Sequence, residues 1–265
     1  MQRPIATPPW TQSGRHIESL VRKAIFDFDL IQGQKKIGIA LSGGKDSMTL
    51  LYMLKAISGR GIPPFEIEAF HVTGAFSCGA SLAENALKKA CEALEVPLHI
   101  LESTQTLEKL ECYSCSRERR KLLFSKALQR GITTLAFGHH KEDNVQTLLL
   151  NLLHKASFEG MLPKVPMHRY GVTIIRPLIL VSEKEILSFS EHYGFLRIMC
   201  QCPVGQQSKR RSVKDLINEF TAEFPNAINN LSDASFKFGT TKALLSDLVK
   251  PLTPLGVKSD FLTDL

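Results

Sequence analysis

The residues best suited to chemistry in this sequence form one hexapeptide, SGGKDS, at positions 42–47. It lies between an apolar run, 36–41, and a helical pattern that begins near Met48. Gly43 and Gly44 let the backbone turn tightly, so that its N–H groups can approach an anion. The following helix directs its positive N-terminal end to the same place. The segment therefore predicts a phosphate-binding loop, which we call the SGGKDS loop.

The side chains of the SGGKDS loop also suit a nucleotide. Lys45 supplies a movable positive charge, Ser42 and Ser47 supply hydroxyl donors, and Asp46 is a candidate ligand for Mg²⁺. A Walker A loop is excluded, because it would need Gly where the chain has Ile39 and Ser or Thr in place of the aspartate. The plainer alternative is a strand-to-helix turn capped by serine and aspartate.

Cysteines form a second candidate site. Cys112 and Cys115 come just before a predicted helix, and Cys200 and Cys202 follow much later. Closely spaced cysteines chelate metals, and a helix N-terminus favours their thiolate form. Four thiolates would make a closed structural zinc site, whereas three on a cubane iron–sulfur cluster leave one iron open for chemistry. A redox pair or buried thiols are the other readings, and Cys91 is predicted to be a packing residue.

A third polar segment, GHHKED at residues 138–143, follows the fourth predicted strand. In isolation it predicts a turn in which Asp143 caps a helix. Beside a phosphate loop, Asp143 is also a candidate for proton transfer or for holding magnesium. We include Gly138 and His139 among the candidate nucleotide-binding residues, because a histidine there could contact phosphate.

Charge favours a polyanionic partner, because the chain carries 33 Lys and Arg against 26 Asp and Glu, a net charge of +7. One basic run follows each pair of cysteines. The runs are Arg117, Arg119, Arg120 and Lys121, and Lys209, Arg210, Arg211 and Lys214. Such runs are usually solvated helix faces. Beside metal ligands they favour a surface that brings a nucleic-acid backbone to the metal.

Strand and helix patterns alternate through most of the 265 residues. They predict an α/β fold: a Rossmann-like parallel sheet of about five strands flanked by helices, with a small C-terminal helical appendage. Ligands should bind at the carboxyl ends of the strands. The predicted strands are 36–41, 65–72, 98–101, 133–138 and 172–175. The predicted helices are 14–31, 48–57, 80–95, 114–130, 142–154, one that a Ser182 and Glu185 capping box opens, 212–223 and 226–238.

Four regions are expected along the chain: an N-terminal lead and helix (1–35), an α/β ATPase domain (36–180), a helical segment that carries the last cysteines (181–240) and a tail (241–265). Residues 1–13 are predicted to be a flexible lead. No uninterrupted apolar stretch approaches the roughly 18 residues of a membrane helix, and the first residues lack the apolar core of a signal peptide. We therefore expect a cytoplasmic protein that does not associate with membranes, in a reducing compartment.

Taken together, these segments resemble the tRNA 2-thiocytidine synthetases, which are cytidine sulfurtransferases of the PP-loop ATPase superfamily. The resemblance runs from about residue 17 to about residue 238. It rests on the AIFDF helix before the loop, SGGKDS, CYSCSRERR, GHHKEDNVQT, GMLPK, IIRPL and the cysteine after RIM. The combination and order of these motifs are highly specific to that family.

The resemblance implies a [4Fe-4S] cluster on Cys112, Cys115 and Cys200. ATP, with Mg²⁺, would adenylate the C2 oxygen of a cytidine in a tRNA anticodon loop, and sulfur would then displace AMP. Arg119 and Asp143 correspond to residues implicated in catalysis in related enzymes. A cysteine desulfurase or free sulfide would donate the sulfur, and a homodimer is compatible with the sequence.

The chain departs from the family pattern at two places. The family commonly has a second C-x-x-C, whereas here only one residue separates Cys200 from Cys202, so it stays open whether a fourth thiolate binds the metal. Thr73 and Gly74 stand after the second strand, where the family usually has aspartate. Two other functions therefore stay open. One is an ATP-dependent tRNA-modifying ligase of the lysidine-synthetase type with a structural zinc, and the other is a non-catalytic ATP sensor.

Overall fold

The structure is a computed structural model, and it describes residues 7–74, 80–103, 112–195 and 209–239. Six strands form one sheet. They are β1 (Lys36–Ala40), β2 (Glu66–Gly74), β3 (Leu98–Ser103), β4 (Thr134–Ala136), β5 (Lys164–Met167) and β6 (Val172–Ile175). The helices are α1 (Gln12–Asp27), α2 (Lys45–Ile57), α3 (Ala80–Ala93), α4 (Cys112–Gln129), α5 (Lys141–Lys155), α6 (Glu183–Tyr193), α7 (Lys209–Glu223) and α8 (Ala227–Phe238).

The strand order is β3-β2-β1-β4-β6-β5, and every neighbouring pair is parallel except β5 with β6. The predicted parallel α/β sheet is confirmed, and all five predicted strands are present. β5 was not predicted, because it is short and contains Pro166, which has no N–H to donate to a ladder. Proline is tolerated at the edge of a sheet, and β5 is an edge strand.

Helices cover both faces of the sheet. On one face α1, α2 and α6 bury a large apolar cluster, and on the other α4 packs Leu123 and Phe124 against Phe70 and Val72 of β2. Each such side chain contributes about 1.5–3 kcal/mol when fully buried. These two apolar layers fix the sheet, so the loops at its carboxyl edge start from a rigid base.

The predicted flexible lead, residues 1–13, is wrong for its last residues. Trp10 is 5% exposed, and its ring meets Phe189 of α6 edge-on at a centroid distance of 5.5 Å. The indole Nε1 donates to Glu18, and the Thr11 side chain accepts a hydrogen bond from the backbone of Gly14 to cap α1. The segment was predicted to be flexible because it is polar and rich in proline. Its packing depends on the single ring of Trp10, which the average composition does not reveal.

The C-terminal helices pack on α5. Val145 of α5 forms a small cluster with Val213 and Ile217 of α7. Asn144 is fully buried, and its amide nitrogen donates to the Ser235 hydroxyl of α8 at 2.8 Å. Its carbonyl oxygen accepts from the backbone N–H of Met161 at 2.6 Å. One asparagine therefore joins α5, the GMLPK segment and α8.

An ionic cluster surrounds a buried carboxylate in the amino-terminal half of β2, and we call it the Glu68 cluster. The Glu68 carboxylate contacts His99 Nε2 at 2.7 Å, Arg130 Nε at 2.9 Å and Lys36 Nζ at 3.2 Å. Burial by itself would raise the pKa of Glu68, but hydrogen bonds from Arg130, His99 and Lys36 outweigh it and lower the pKa to about 2. Because Arg130 directly follows the last residue of α4, the cluster ties the end of that helix to three strands.

None of the helices in the described ranges is long and apolar enough to cross a membrane.

Candidate active site

The SGGKDS loop connects β1 to α2 with a shape that its own side chains maintain. Gly43 has a φ of 84°, a left-handed conformation that favours glycine. The Ser42 and Ser47 hydroxyls lie 3.1 Å apart. The Ser47 hydroxyl donates to the carbonyl of Gly44 at 3.0 Å, and the Gly44 N–H donates to the Ser42 hydroxyl at 3.3 Å. The loop is therefore preformed at the N-terminus of α2.

Lys45 lies between two carboxylates. Its Nζ is 2.7 Å from Asp46 Oδ1 and 3.3 Å from Glu183 Oε1, at the start of α6. Burial by itself would lower the pKa of Lys45, but the two carboxylates outweigh it and raise that pKa. Lys45 therefore stays charged at neutral pH, as a phosphate-binding lysine must. Sequence reasoning missed Glu183, because no motif marks it apart from its place in the first turn after Ser182.

The GHHKED segment approaches the SGGKDS loop closely. A Cβ on Gly138 would lie only 3.0 Å from the backbone of Asp46 and Ser47, so glycine is needed there. The Asp143 carboxylate accepts a hydrogen bond from the backbone N–H of His140 at 3.1 Å, which makes it a helix cap as the plainer interpretation predicted. The cap also fixes Asp143 at the first turn of α5, beside the loop.

His140 lies between the acidic side chains of the two loops. Its Nε2 is 3.5 Å from Asp143 Oδ2 and 3.9 Å from Asp46 Oδ1, and its Nδ1 is 3.0 Å from Glu142 Oε2. Burial by itself would lower the pKa of His140, but the Glu142 hydrogen bond and the other carboxylates outweigh it and raise the pKa. Asp46 and Asp143 thus lie near the same ring nitrogen, one from each loop.

His139 points to a different partner. Its Nδ1 accepts a hydrogen bond from Arg176 Nε at 3.3 Å, and its ring stacks on Phe137 at a centroid distance of 5.8 Å. Burial and the charge of Arg176 lower the pKa of His139 to about 4, so the ring is neutral at pH 7. Burial likewise lowers the pKa of Arg176, to about 10. Arg176 belongs to the IIRPL motif but was not among the predicted site residues.

Arg119 reaches the same edge of the sheet from α4. Its Nη2 donates to the carbonyl of Val72, near the carboxyl end of β2, at 2.6 Å. β2, β1 and β4 are adjacent in the sheet, so Arg119, the SGGKDS loop and the GHHKED segment all lie at their carboxyl ends. The prediction that the SGGKDS loop and the GHHKED segment share one edge is confirmed, and Arg119 reaches that edge as well.

The cysteines are only partly described. The sequence analysis placed Cys112 and Cys115 just before the helix. α4 instead begins at Cys112, so both cysteines lie in its first turn. Their side chains, and all of Cys200 and Cys202, lie outside the described residues. Within the described part no group of His, Cys, Asp and Glu side chains is arranged to hold a metal ion. Cys91 is a buried free thiol whose pKa burial raises to about 12, which confirms the packing role.

Comparison with known proteins agrees with this geometry. A family model described as a PP-loop domain matches residues 11–196. The tRNA-cytidine(32) 2-sulfurtransferase of Syntrophotalea carbinolica is 34% identical over 250 residues, which cover 86% of this chain and 96% of that protein. The enzyme of the same name from Geobacter metallireducens is 33% identical over 219 residues, covering 80% and 85%. The chain belongs to the tRNA-cytidine(32) 2-sulfurtransferase family.

The fold of this chain also resembles that of a solved structure. The U34-tRNA thiolase NcsA from Methanococcus maripaludis, determined with its [4Fe-4S] cluster, superposes with a TM-score of 0.69 at 22% identity. The match covers 89% of this chain and 88% of NcsA. The two proteins therefore share a fold over nearly their whole lengths.

Both basic runs of this family member are surface features. Arg117 and Lys121 of α4 are exposed, as are the basic residues at the start of α7. Arg119 and Arg120 are half-buried, and of the two only Arg119 donates to a strand carbonyl. The two runs thus separate into a solvent-facing set and two half-buried arginines, of which Arg119 is directed to the edge of the sheet.

Proposed function

We propose that this protein is an ATP-dependent tRNA sulfurtransferase that converts an anticodon-loop cytidine to 2-thiocytidine. One observation carries the proposal: the SGGKDS loop, Asp143 and Arg119 lie along the carboxyl edge of the adjacent strands β2, β1 and β4, on a chain of this family. Parallel α/β sheets bind ligands at that edge. The relatives' names give tRNA as the substrate and cytidine as the base.

ATP fits the SGGKDS loop by charge and by backbone shape. The loop's N–H groups and Lys45 would bind the phosphates, and Asp46 and Asp143 would hold Mg²⁺ against them. The C2 oxygen of cytidine would attack the α-phosphorus, and pyrophosphate would leave. Arg119 would stabilise the negative charge that develops on the phosphate as AMP later departs with that oxygen.

The donor set at the start of α4 fits an iron–sulfur cluster. Residues three apart lie on the same side of a helix, and its N-terminus stabilises thiolates, so Cys112 and Cys115 suit two sites of one metal group. We propose Cys200 as the third ligand. A [4Fe-4S] cluster bound by these three cysteines would supply the sulfur that replaces the oxygen at C2. A cysteine desulfurase or free sulfide would renew that sulfur.

The exposed basic residues on α4 and α7 suit a tRNA backbone, because phosphate contacts supply most of the affinity of such surfaces. Arg117 and Lys121 follow Cys112 and Cys115 on the same helix. A tRNA bound there would therefore bring its anticodon loop towards both the cysteines and the SGGKDS loop.

The proposal is tested with protein purified without oxygen and reconstituted with iron and sulfide. Incubation with tRNA, ATP, Mg²⁺ and sulfide should yield 2-thiocytidine, measured by mass spectrometry of digested nucleosides. Cys112→Ser should abolish the product while ATP binding remains, because the thiolate does not belong to the nucleotide loop. Cys91→Ala is the matched control and should keep iron content and product, because that thiol is a packing residue.

Two outcomes would refute the proposal. A colourless protein with one stoichiometric zinc that joins an amine to tRNA would be a ligase of the lysidine-synthetase type. ATP binding without pyrophosphate release in the presence of tRNA would indicate a nucleotide sensor.

A further inference from the structure

We propose that Glu183 is a positioning residue that competes with the phosphates of ATP for Lys45 and couples the SGGKDS loop to α7. The inference rests on the proposed use of the loop for ATP. The Glu183 carboxylate has two cationic partners on two different elements. Its Oε1 is 3.3 Å from Lys45 Nζ, and its Oε2 is 3.0 Å from Lys214 Nζ of α7.

The backbone keeps Glu183 in this position. Its N–H donates to Glu142 Oε2 at 2.8 Å, which joins the first turn of α6 to the first turn of α5. The backbone N–H of Lys141 donates to the carbonyl of Val181 at 2.9 Å and supports the same junction. The backbone of Glu183 is therefore held beside the loop by groups other than the two lysines, and replacing its carboxylate should leave the loop in place.

Electrostatic repulsion determines whether Glu183 weakens or strengthens the binding of ATP phosphates at Lys45. The side chain of Lys45 is 16% exposed and that of Glu183 is 31% exposed, so the interaction of these charges is only partly screened. A polyphosphate bound at the loop brings several negative charges next to this carboxylate, which repels them and retains Lys45. Removing the charge of Glu183 should therefore strengthen ATP binding.

Lys214 of α7 reduces the repulsion between the Glu183 carboxylate and the phosphates of ATP. It neutralises part of the charge on Glu183, and when ATP takes Lys45 the carboxylate keeps Lys214 as its cationic partner. ATP binding should therefore strengthen the contact of α7 with α6, and by linkage the loss of Lys214 should weaken ATP binding. α7 is the first described helix after Cys200, so the contact joins the nucleotide loop to the segment that follows the third proposed cluster ligand.

Direct titration of the full-length protein with a non-hydrolysable ATP analogue tests the inference. Glu183→Gln should bind the analogue roughly three- to tenfold more tightly, and Lys214→Met about two- to fivefold less tightly, as suits partly exposed charge pairs. The double variant should match Glu183→Gln alone, because Lys214 acts through the carboxylate. A gain in affinity cannot come from misfolding, so the first result identifies an electrostatic role.

Lys237→Met, which removes the same charge from an exposed position of α8, is the matched control and should leave the affinity for the analogue unchanged. Weaker binding by Glu183→Gln would overturn the inference, and weakening only in the presence of Mg²⁺ would assign the carboxylate to the metal instead. If Lys214→Met lowers the affinity for the analogue equally in the presence and absence of the Glu183 carboxylate, the coupling through Glu183 is rejected.

The variant Lys45→Met separates this inference from the proposed function. If Lys45→Met binds the analogue with normal affinity, the ATP site itself is misplaced. If Lys45→Met weakens binding but Glu183→Gln does not change it, only the present inference is rejected.

Hydrogen exchange tests the coupling to α7 independently. The analogue should slow amide exchange in α7 of the wild type, because the Glu183–Lys214 contact strengthens, and should not slow it in Glu183→Gln. Equal protection of α7 in both proteins would overturn the coupling.

Discussion

Two ionic clusters lie at different places in the same sheet, and they are built with opposite excess charge. In the Glu68 cluster one buried carboxylate has three basic partners, Lys36, His99 and Arg130. At the SGGKDS loop one lysine has two acidic partners, Asp46 and Glu183. The first lies in the amino-terminal half of β2 and the second at the carboxyl edge.

The difference separates a structural cluster from a functional one. The carboxylate of Glu68 is 4% exposed and its hydrogen-bonding capacity is taken up, so it has little left to offer a ligand. Lys45 is held by side chains that an incoming phosphate can replace, beside a loop whose N–H groups favour an anion. A carboxylate whose hydrogen-bonding capacity is filled, like that of Glu68, stabilises the fold. A lysine whose partners can be exchanged, like Lys45, can bind the phosphates of a substrate.

The largest expected effect is at the exchangeable cluster. Lys45→Met should lower the affinity for ATP roughly ten- to hundredfold, because hydrogen bonds to a charged group are worth about 1.5–3 kcal/mol. Thermal unfolding should change little, because the two carboxylates left behind are partly exposed and can be hydrated. Isothermal titration and differential scanning calorimetry measure the two quantities.

Lys55→Met is the control for that experiment, because Lys55 lies at the opposite end of α2. It should keep the affinity of the wild type. A large loss of stability in Lys45→Met would place this lysine with the structural cluster and would remove the distinction.

The opposite pattern is expected for Glu68→Gln. The free energy of unfolding should fall by about 1–3 kcal/mol, because a buried carboxylate that accepts charged hydrogen bonds from three side chains is replaced by a neutral amide. ATP affinity should be kept, because β2 retains its register with β1. Urea unfolding and analogue titration on the same preparation check both statements.

The pH dependence of that difference follows from the lowered pKa of Glu68, about 2 against an ordinary value of 4.5. A carboxylate with a depressed pKa contributes stability above its unfolded-state pKa and loses it as the pH falls through the folded-state value. The stability gap between wild type and Glu68→Gln should therefore narrow below about pH 4.5 and close near pH 2. A gap that persists at pH 2 would mean that shape, and not charge, accounts for the loss.

Sequence reasoning reached these two clusters unequally. The SGGKDS loop and the cap at Asp143 were predictable, because glycines, a capping residue and a following helix define a turn locally. The Glu68 cluster was not, because Arg130 is 62 residues away from Glu68 in the chain and only the folded sheet brings them together. Glu183 was also missed, because no local motif marks it and only the folded chain brings it to Lys45.

Local patterns also misplaced two boundaries. Cys112-x-x-Cys115 was interpreted as a turn before a helix, although α4 already begins at Cys112. Trp10 was assigned to a flexible lead, although it packs on α6. For Trp10 the deciding contact is made with Phe189, far along the chain, which neighbouring sequence does not reveal. The role of Cys200 stays a prediction.

The smallest expected effect comes from the outermost member of the structural cluster. Lys36→Met should lower the urea midpoint of unfolding by clearly less than Glu68→Gln does, because Lys36 is partly solvated and also contacts the exposed Glu66. Arg130 and His99 would still hold the Glu68 carboxylate. Added salt should shrink the remaining difference, since exposed charges are screened. A loss as large as that of Glu68→Gln would show that the three partners act as one unit, so that the cluster loses its effect when any partner is removed.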